Sequence, residues 1–315
     1  MQQESAENVP GPSREEVRFA IRGETCAAWL YRAKGRGPHP IVVMAHGLGA
    51  TRELGLDPYA RRFQEAGMSA LVFDYRHYGA SSAEPRELLS IPRQLADFRA
   101  AVAFARALPG VDSTRVAIWG SSFGGGHVMS LAAEELGLRA AVSQVPFSSG
   151  LASTLCLPLF TALRITAMAL WDLARTAVGL SPAYIQLLGA PGEVALMSAP
   201  DCRPGYLRLV PPDAEPAGRW RNRVCARIGL AIPLYAPGTK LARARIPVFV
   251  AVAEQDSIAP AGPTIRAAEQ NPQVELKRYP LGHFDYYPEP SSKAGAEFDR
   301  VFADEMVFLR KHLLA

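Results

Sequence analysis

The chain has 315 residues, of which 49% are hydrophobic and 20% are charged. This composition supplies a sizeable core and excludes a wholly disordered chain. The 34 basic residues exceed the 30 acidic residues by four, too small an excess over this length to indicate a nucleic-acid partner. The four cysteines lie far apart and form no C-x-x-C pair. This argues against a zinc site or a disulfide scaffold and favours a reducing, cytoplasmic compartment.

The N-terminus is polar and acidic, and no apolar core follows within the first 30 residues. This predicts that the chain has no secretory signal. A later apolar stretch, residues 155–171, carries Arg164 as its single charge and contains Pro158. It is shorter than the roughly 20 apolar residues that a spanning helix needs. We therefore expect a buried or pocket-covering helix here and no stable membrane span.

In chain order, residues 1–15 read as a loose tail, and residues 17–31 read as a β-hairpin with its turn at Gly23. Helical patterns begin near Asp57 and Ser90, and a helical stripe of apolar residues runs from Phe298 to the C-terminus. Between the helical patterns lie continuous apolar runs, typical of strands buried on both faces, at 41–45, 70–73, 116–119, 140–145, 248–253 and 274–279. This alternation predicts an α/β fold with a mostly parallel sheet and helices on both faces.

The alternation of strand and helix stops between about residues 145 and 245. The first half of this stretch is helical and apolar, and residues 189–218 are crowded with proline and glycine. A return to strand pattern afterwards indicates an insertion. We expect an inserted, mainly helical cap at 148–243, over a core formed by 16–147 and 244–315.

A G-x-S-x-G motif, Gly120-Ser121-Ser122-Phe123-Gly124, follows a predicted strand and precedes a helical pattern at 127–136. In this context the motif forms a sharp turn that exposes the central serine. Glycine two residues away on each side allows strand and helix to approach closely. The motif therefore predicts Ser122 as a catalytic nucleophile, the alternative being a structural glycine-rich turn.

A serine hydroxyl needs a base to accept its proton. His283 lies just beyond the last predicted strand, and Asp256 follows the strand at 248–253. The order serine, acid, histidine is the one that accompanies a G-x-S-x-G turn. We predict His283 as the base and Asp256 as the acid that orients it, with Glu254 as the competing acid.

A tetrahedral intermediate also needs donors for its oxyanion. The backbone N–H of Phe123, next to the nucleophile, is one candidate. The second is the N–H of Leu48 in the loop His46-Gly47-Leu48-Gly49, which follows the predicted strand at 41–45. We interpret His46 as a support of this loop rather than as a catalyst.

The chain resembles the α/β-hydrolase superfamily in segments that read MAHGLG (44–49), FDYRHYGAS (73–81), WGSSFGGG (119–126), VAEQDSIAP (252–260) and YPLGHFDYY (279–287). Within it, the chain looks like the serine-aminopeptidase-like or dienelactone-hydrolase-like branch, and is similar to bacterial relatives of fungal polyketide acyltransferases. The resemblance implies a serine esterase-type mechanism, an inserted cap and no cofactor. His77 departs from the branch, which more often has glycine after DYR.

These features lead us to expect a serine hydrolase that cleaves a small-molecule carboxylic ester or thioester, with an apolar acyl group under the cap. Acyl transfer to an alcohol or amine is the first alternative, because it passes through the same acyl-enzyme. A short-peptide serine peptidase and a ligand-binding module of the same fold are further alternatives. We expect no metal, and we leave a homodimer open.

Overall fold

The computed structural model of the protein describes residues 14–288 and 294–315. Residues 1–13 of the expected tail lie outside the described residues. The main sheet has eight strands: β1 (Glu15–Ile21), β2 (Glu24–Tyr31), β3 (His39–Ala45), β4 (Ser69–Phe73), β5 (Val111–Ser121), β6 (Ala140–Gln144), β10 (Val248–Ala253) and β11 (Val274–Tyr279). Their order across the sheet is β1-β2-β4-β3-β5-β6-β10-β11. Strand β2 pairs antiparallel with β1 and β4, and the remaining pairs are parallel.

Within the described residues, five helices flank this sheet: α1 (Asp57–Glu65), α2 (Ile91–Arg106), α3 (Phe123–Ala132), α9 (Ala261–Glu269) and α10 (Ala294–Leu313). Helices α1 and α10 pack on one face, and α2, α3 and α9 pack on the other. Adjacent residues of β3 show why its apolar run is continuous. Val43 joins the core on one face, and Val42 joins the core on the other. The predicted α/β fold with helices on both faces is therefore confirmed.

Residues 145–247, which we call the inserted segment, connect β6 to β10, which are neighbours in the sheet. This segment contains α4 (Gly150–Leu155), α5 (Leu159–Ala177), α6 (Cys202–Leu207), α7 (Ile228–Ala231), a 3₁₀ turn (Ile232–Leu234) and α8 (Gly238–Leu241). It also contains three short strands, β7 (Tyr184–Leu188), β8 (Ala195–Met197) and β9 (Val224–Cys225). They form a separate sheet in the order β8-β7-β9, which the sequence did not predict.

Two helices differ from their predictions. Helix α3 begins at Phe123 rather than at residue 127, because close packing at the glycines outweighs their low helix propensity. The apolar run at 155–171 is split at Pro158 between α4 and α5. The sequence predicts a buried or pocket-covering helix here. Only one stripe of α5 is buried, but Ala162 and Ile165 line a pocket, so α5 is the pocket-covering kind. Among the described residues, no helix is long and apolar enough to cross a membrane.

Candidate active site

Ser122 lies at the turn between β5 and α3, with φ 57° and ψ −119°. This is a strained backbone conformation for a residue with a side chain. The glycines on either side of Ser122 allow the backbone segments at this turn to pack closely against each other. A Cβ on Gly120 would collide with the backbone carbonyl of Gly124, and a Cβ on Gly124 would lie 2.6 Å from the His46 carbonyl oxygen. Both positions thus require glycine, as the motif suggested.

His283 follows β11 and lies between Ser122 and Asp256. Its Nε2 is 3.0 Å from the Ser122 Oγ, and its Nδ1 is 2.6 Å from Asp256 Oδ2. The His283 and Asp256 side chains are 3% and 2% exposed. The other oxygen of Asp256 accepts the backbone N–H groups of Ile258 at 2.8 Å and Ala259 at 2.7 Å. These two bonds fix the carboxylate that in turn fixes the imidazole.

Glu254, the competing acid, has a different partner. Its Oε1 accepts a hydrogen bond from Arg278 at 2.6 Å on the protein surface. The structure therefore brings Asp256, and not Glu254, into contact with His283.

The two candidate oxyanion donors belong to residues that line one pocket together with Ser122 and His283. Phe123 is the first residue of α3, and Leu48 lies in the loop after β3. This loop passes close to the nucleophile, since a Cβ on Gly47 would lie 3.4 Å from the Ser122 Oγ. The structure thus brings together the residues that the sequence indicated for nucleophile, base, acid and both donors.

The inserted segment contacts the same loop. The hydroxyl of Tyr206 donates to the Leu48 carbonyl at 3.0 Å, and the indole N–H of Trp220 donates to the Gly49 carbonyl at 3.1 Å. Both side chains are buried. Sequence reasoning missed these two residues, because no motif surrounds them and their partners are far away along the chain.

Asp74, in the DYR motif, connects the segment that follows β3 to the loop that follows β4. It accepts the backbone N–H groups of Arg52 at 2.7 Å and Ala80 at 3.0 Å. Burial raises the pKa of Asp74 to about 6, although the nearby Arg52 charge opposes the shift. The carboxyl group is therefore a structural link between two loops at the edge of the site.

Two further histidines near the site are buried and neutral at pH 7. Burial lowers the pKa of His46 to about 4, and its ring packs 4.7 Å from the ring of Tyr75. Burial likewise lowers the pKa of His127 to about 3, and its nitrogens bond to Tyr235 and Gln94. The His46 contacts agree with a supporting role in its loop.

His77 adopts φ 73°, in the left-handed region that glycine occupies most easily. This conformation suits the glycine that the resemblance led us to expect at this position. Its ring Nδ1 lies 3.0 Å from the Pro85 carbonyl, and Arg93 lies 3.3 Å from its Nε2. Burial lowers the pKa of His77.

The pocket above Ser122 has a volume of about 430 Å³. Its wall is mainly apolar and comes largely from the inserted segment, including Leu157, Ala162, Ile165, Leu196 and Met197. Such a pocket suits an apolar group held next to a reacting carbonyl. Within the part of the chain that the structure describes, no cluster of three histidine, cysteine or acidic side chains could hold a metal.

The chain is similar to several known proteins. It is 41% identical to the quorum-quenching protein AidA of Acinetobacter baumannii over 307 residues, which cover 98% of this chain and 97% of that protein. It is 35% identical to the thiohydrolase aneE of Aspergillus aculeatus over 132 residues, covering 42% of this chain and 41% of that protein. The crystal structure of the alpha/beta hydrolase GrgF from Penicillium sp. sh18 matches with a TM-score of 0.77 at 23% identity, over 96% and 99% of the two chains.

A sequence profile described as alpha/beta hydrolase family matches residues 42–294. The matched range contains the turn at Ser122 and the loops that carry Asp256 and His283, together with the inserted segment. The resemblance seen in the sequence is therefore confirmed: this chain belongs to the alpha/beta hydrolase family.

Proposed function

We propose that the protein hydrolyses carboxylic esters or thioesters that carry an apolar acyl group, through an acyl-enzyme on Ser122. The observation that carries this proposal is the hydrogen-bonded series Asp256–His283–Ser122, which opens onto an apolar pocket. A serine, a histidine and an acid in this arrangement are the elements of nucleophilic acyl transfer.

In the first half of the reaction, the Ser122 Oγ attacks the acyl carbonyl carbon while its proton passes to His283 Nε2. Asp256 holds the Nδ1–H of His283 and stabilises the imidazolium that forms. The N–H groups of Leu48 and Phe123 bind the negatively charged oxygen of the tetrahedral intermediate. The bond to the leaving group then breaks, and His283 gives the proton to the departing alcohol or thiol.

In the second half, water takes the place of the leaving group. His283 removes a proton from the water as it attacks the acyl carbon, and the same two N–H groups bind the oxyanion again. The bond from the acyl carbon to the Ser122 Oγ breaks, and the oxygen recovers its proton from His283. The carboxylic acid leaves, and the enzyme returns to its starting state.

We further propose that residues 148–243 act as a cap that selects the acyl group, over a core of 16–147 and 244–315. The cap supplies Leu157, Ala162 and Ile165 to the pocket wall, whereas the reacting side chains come from the core. One relative is named a thiohydrolase, and this name supports thioesters as one class of substrate. Carboxylic esters and thioesters with acyl groups of different length are therefore the classes to assay.

The test combines labelling with turnover. A fluorophosphonate probe should label the wild type on the peptide that contains Ser122, and Ser122→Ala should abolish both labelling and hydrolysis of p-nitrophenyl esters and acyl thioesters. Ser121→Ala is the matched control, because it removes a neighbouring hydroxyl and should leave the Ser122 peptide labelled.

The remaining outcomes separate the alternatives. Labelling without hydrolysis, together with product formation when an alcohol or amine is added, would identify an acyltransferase. Hydrolysis restricted to short peptides would identify a peptidase. An unlabelled wild type that still binds acyl compounds would contradict the proposal and identify a binding module.

A further inference from the structure

Exposed apolar side chains are concentrated on one surface of the protein. Within residues 14–288 and 294–315, fourteen large hydrophobic side chains are exposed, and ten of them lie between residues 151 and 180. Helix α5 carries six of these, with exposed fractions of 44% to 76%. We call this surface the α5 face, and its residues are Leu159, Phe160, Leu163, Leu170, Trp171 and Leu173.

Helix α5 contacts the rest of the protein through one narrow stripe. Its buried residues are Thr161, Ile165, Ala169 and Asp172, spaced three or four apart. A surface helix normally buries its apolar stripe and exposes a polar face. In α5, most of the apolar side chains are outside the buried stripe. Monomeric proteins rarely leave a contiguous apolar patch of this extent exposed.

Charge distinguishes the surfaces that could cover this face. The charged residues of α5 are Arg164, Asp172 and Arg175. Asp172 is buried and bonded to Arg227 at 2.7 Å, so the exposed part of the helix presents two arginines and no lysine. Helices that lie on lipid surfaces usually carry many basic residues on their polar face. The α5 face therefore fits an apolar protein surface better than an anionic membrane.

We propose that a second copy of this chain covers the α5 face, with the two α5 helices antiparallel about a two-fold axis near Ala167. An interface of this symmetry brings the same patch of both copies together, so one apolar patch is sufficient. Ala167 is exposed on the side opposite the buried stripe, and its small side chain lets two helices approach closely. The six side chains of the α5 face and the four exposed ones that flank α5 together offer on the order of 800 Å² per partner, the area that a stable interface of standard size buries. The flanking residues are Leu151, Leu155, Val178 and Leu180.

This arrangement would place the contact beside the acyl pocket. Ala162 and Ile165 of α5 line the pocket from one side of the helix, and the α5 face occupies the other side. The second copy would then hold a wall of the pocket in place. This consequence rests on the proposed function, whereas the dimer itself does not.

The oligomeric state is measured first, by light scattering during size-exclusion chromatography. We expect the wild type at about twice the 34.0 kDa mass of the chain. The double variant Leu163→Glu, Leu170→Glu should elute as a monomer with the circular dichroism spectrum of the wild type. Val307→Glu, which alters an exposed apolar residue on α10, is the matched control and should remain a dimer.

A cross-link tests the geometry without charged substitutions, and it decides the question if the double variant does not fold. In a Cys156→Ser background, Ala167→Cys should form an intermolecular disulfide when a mild oxidant such as diamide is added. The other three cysteines are buried and should not react. A wild type of 34.0 kDa would overturn the proposal. So would a dimer that forms no disulfide at Ala167→Cys and that persists in the double variant. Binding of a monomeric wild type to phosphatidylcholine vesicles would also overturn it and would assign the face to lipid.

Discussion

The hydroxyl of Tyr206 donates a hydrogen bond to the backbone carbonyl of Leu48, with 3.0 Å between the two oxygen atoms. Tyr206 belongs to α6 of the inserted segment, whereas Leu48 belongs to the core loop beside Ser122. The segment that shapes the pocket thus also holds the loop whose N–H we propose as an oxyanion donor. Trp220 reinforces the link through the next carbonyl, that of Gly49.

Tyr206→Phe removes this hydrogen bond and keeps the ring. We expect kcat to fall about tenfold with little change in KM. Without this bond the loop is less firmly held, and a misplaced oxyanion donor should cost part of the rate that removing the donor would cost. Steady-state kinetics on a short p-nitrophenyl ester measures both constants. Tyr184→Phe is the control, since the hydroxyl of Tyr184 bonds to the Arg86 carbonyl instead. A raised KM with unchanged kcat would show that Tyr206 contributes to substrate binding and not to the oxyanion loop.

Asp256→Asn and Glu254→Gln test the choice of acid. The first change leaves His283 without its charged partner, so we expect kcat to drop by about 10³–10⁴-fold. The second change removes an ion pair with Arg278 on the surface and should leave kcat within about twofold of the wild type. Equal losses in the two variants would contradict the assignment of Asp256.

Gly124→Ala should disrupt the serine turn. The added methyl would lie 2.6 Å from the His46 carbonyl and 2.7 Å from that of Ala45, both of them backbone atoms that cannot move aside cheaply. We expect a loss of about 1–3 kcal/mol in the free energy of unfolding, measured by urea denaturation, and a loss of activity. Gly262→Ala is the control, since its new methyl would meet only the flexible end of Arg266. Equal stability of the two variants would show that the turn tolerates a side chain.

Ala162→Phe should shorten the acyl group that the protein accepts. The larger side chain projects into the pocket beside Ile165, so the longest esters lose space while acetate does not. We expect kcat/KM for long-chain esters to fall by about tenfold or more, with the value for acetate nearly unchanged. Ala103→Phe, an exposed position on α2, should leave the whole chain-length profile unaltered. A uniform loss across all chain lengths would place the acyl group elsewhere.

Glu305 should make stability depend on pH. Burial raises the pKa of its carboxyl group from 4.5 to about 8, while Trp119 donates a hydrogen bond to it at 3.0 Å. Between these pH values the unfolded chain loses the proton that the folded chain keeps. The contribution of the Glu305 carboxyl group to the free energy of unfolding is therefore fully present below about pH 4.5 and is lost as the pH rises towards 8.

Glu305→Gln cannot ionise, so its stability relative to the wild type should increase with pH across this window. The slope should be at most about 1.4 kcal/mol per pH unit, measured by urea denaturation at pH 5.5, 7 and 8.5. Parallel stability curves for the two proteins would show that Glu305 is already ionised in the fold.

The sequence predicted the strands of the main sheet well, because strands buried on both faces leave continuous apolar runs. It also indicated Ser122, His283 and Asp256, which the structure brings into one hydrogen-bonded series. Acyl transfer demands particular residue types, and the fold places them in loops that follow recognisable strands. Their catalytic roles remain predictions that the variants above address.

Other features depend on contacts that local sequence does not encode. The bond from Tyr206 to Leu48 joins residues 158 positions apart, and nothing near Tyr206 marks it. The strands β7 to β9 are two to five residues long and lie amid proline and glycine, so their periodicity is too short to detect. The early start of α3 reflects packing of Gly124 against Ala45 and His46, which overrides helix propensity.

Strands β6 and β10 lie side by side, with Ala141 opposite Val248, and the inserted segment leaves from one and returns to the other. A crossover between neighbouring parallel strands needs only a dozen or more residues. The segment is therefore an elaboration of an ordinary connection, and its two ends are already close together. In evolution, such a stretch can lengthen, shorten or be exchanged between genes while the sheet keeps its pairing. Related enzymes that descend from one ancestor can in this way accept different substrates while they keep the same chemistry.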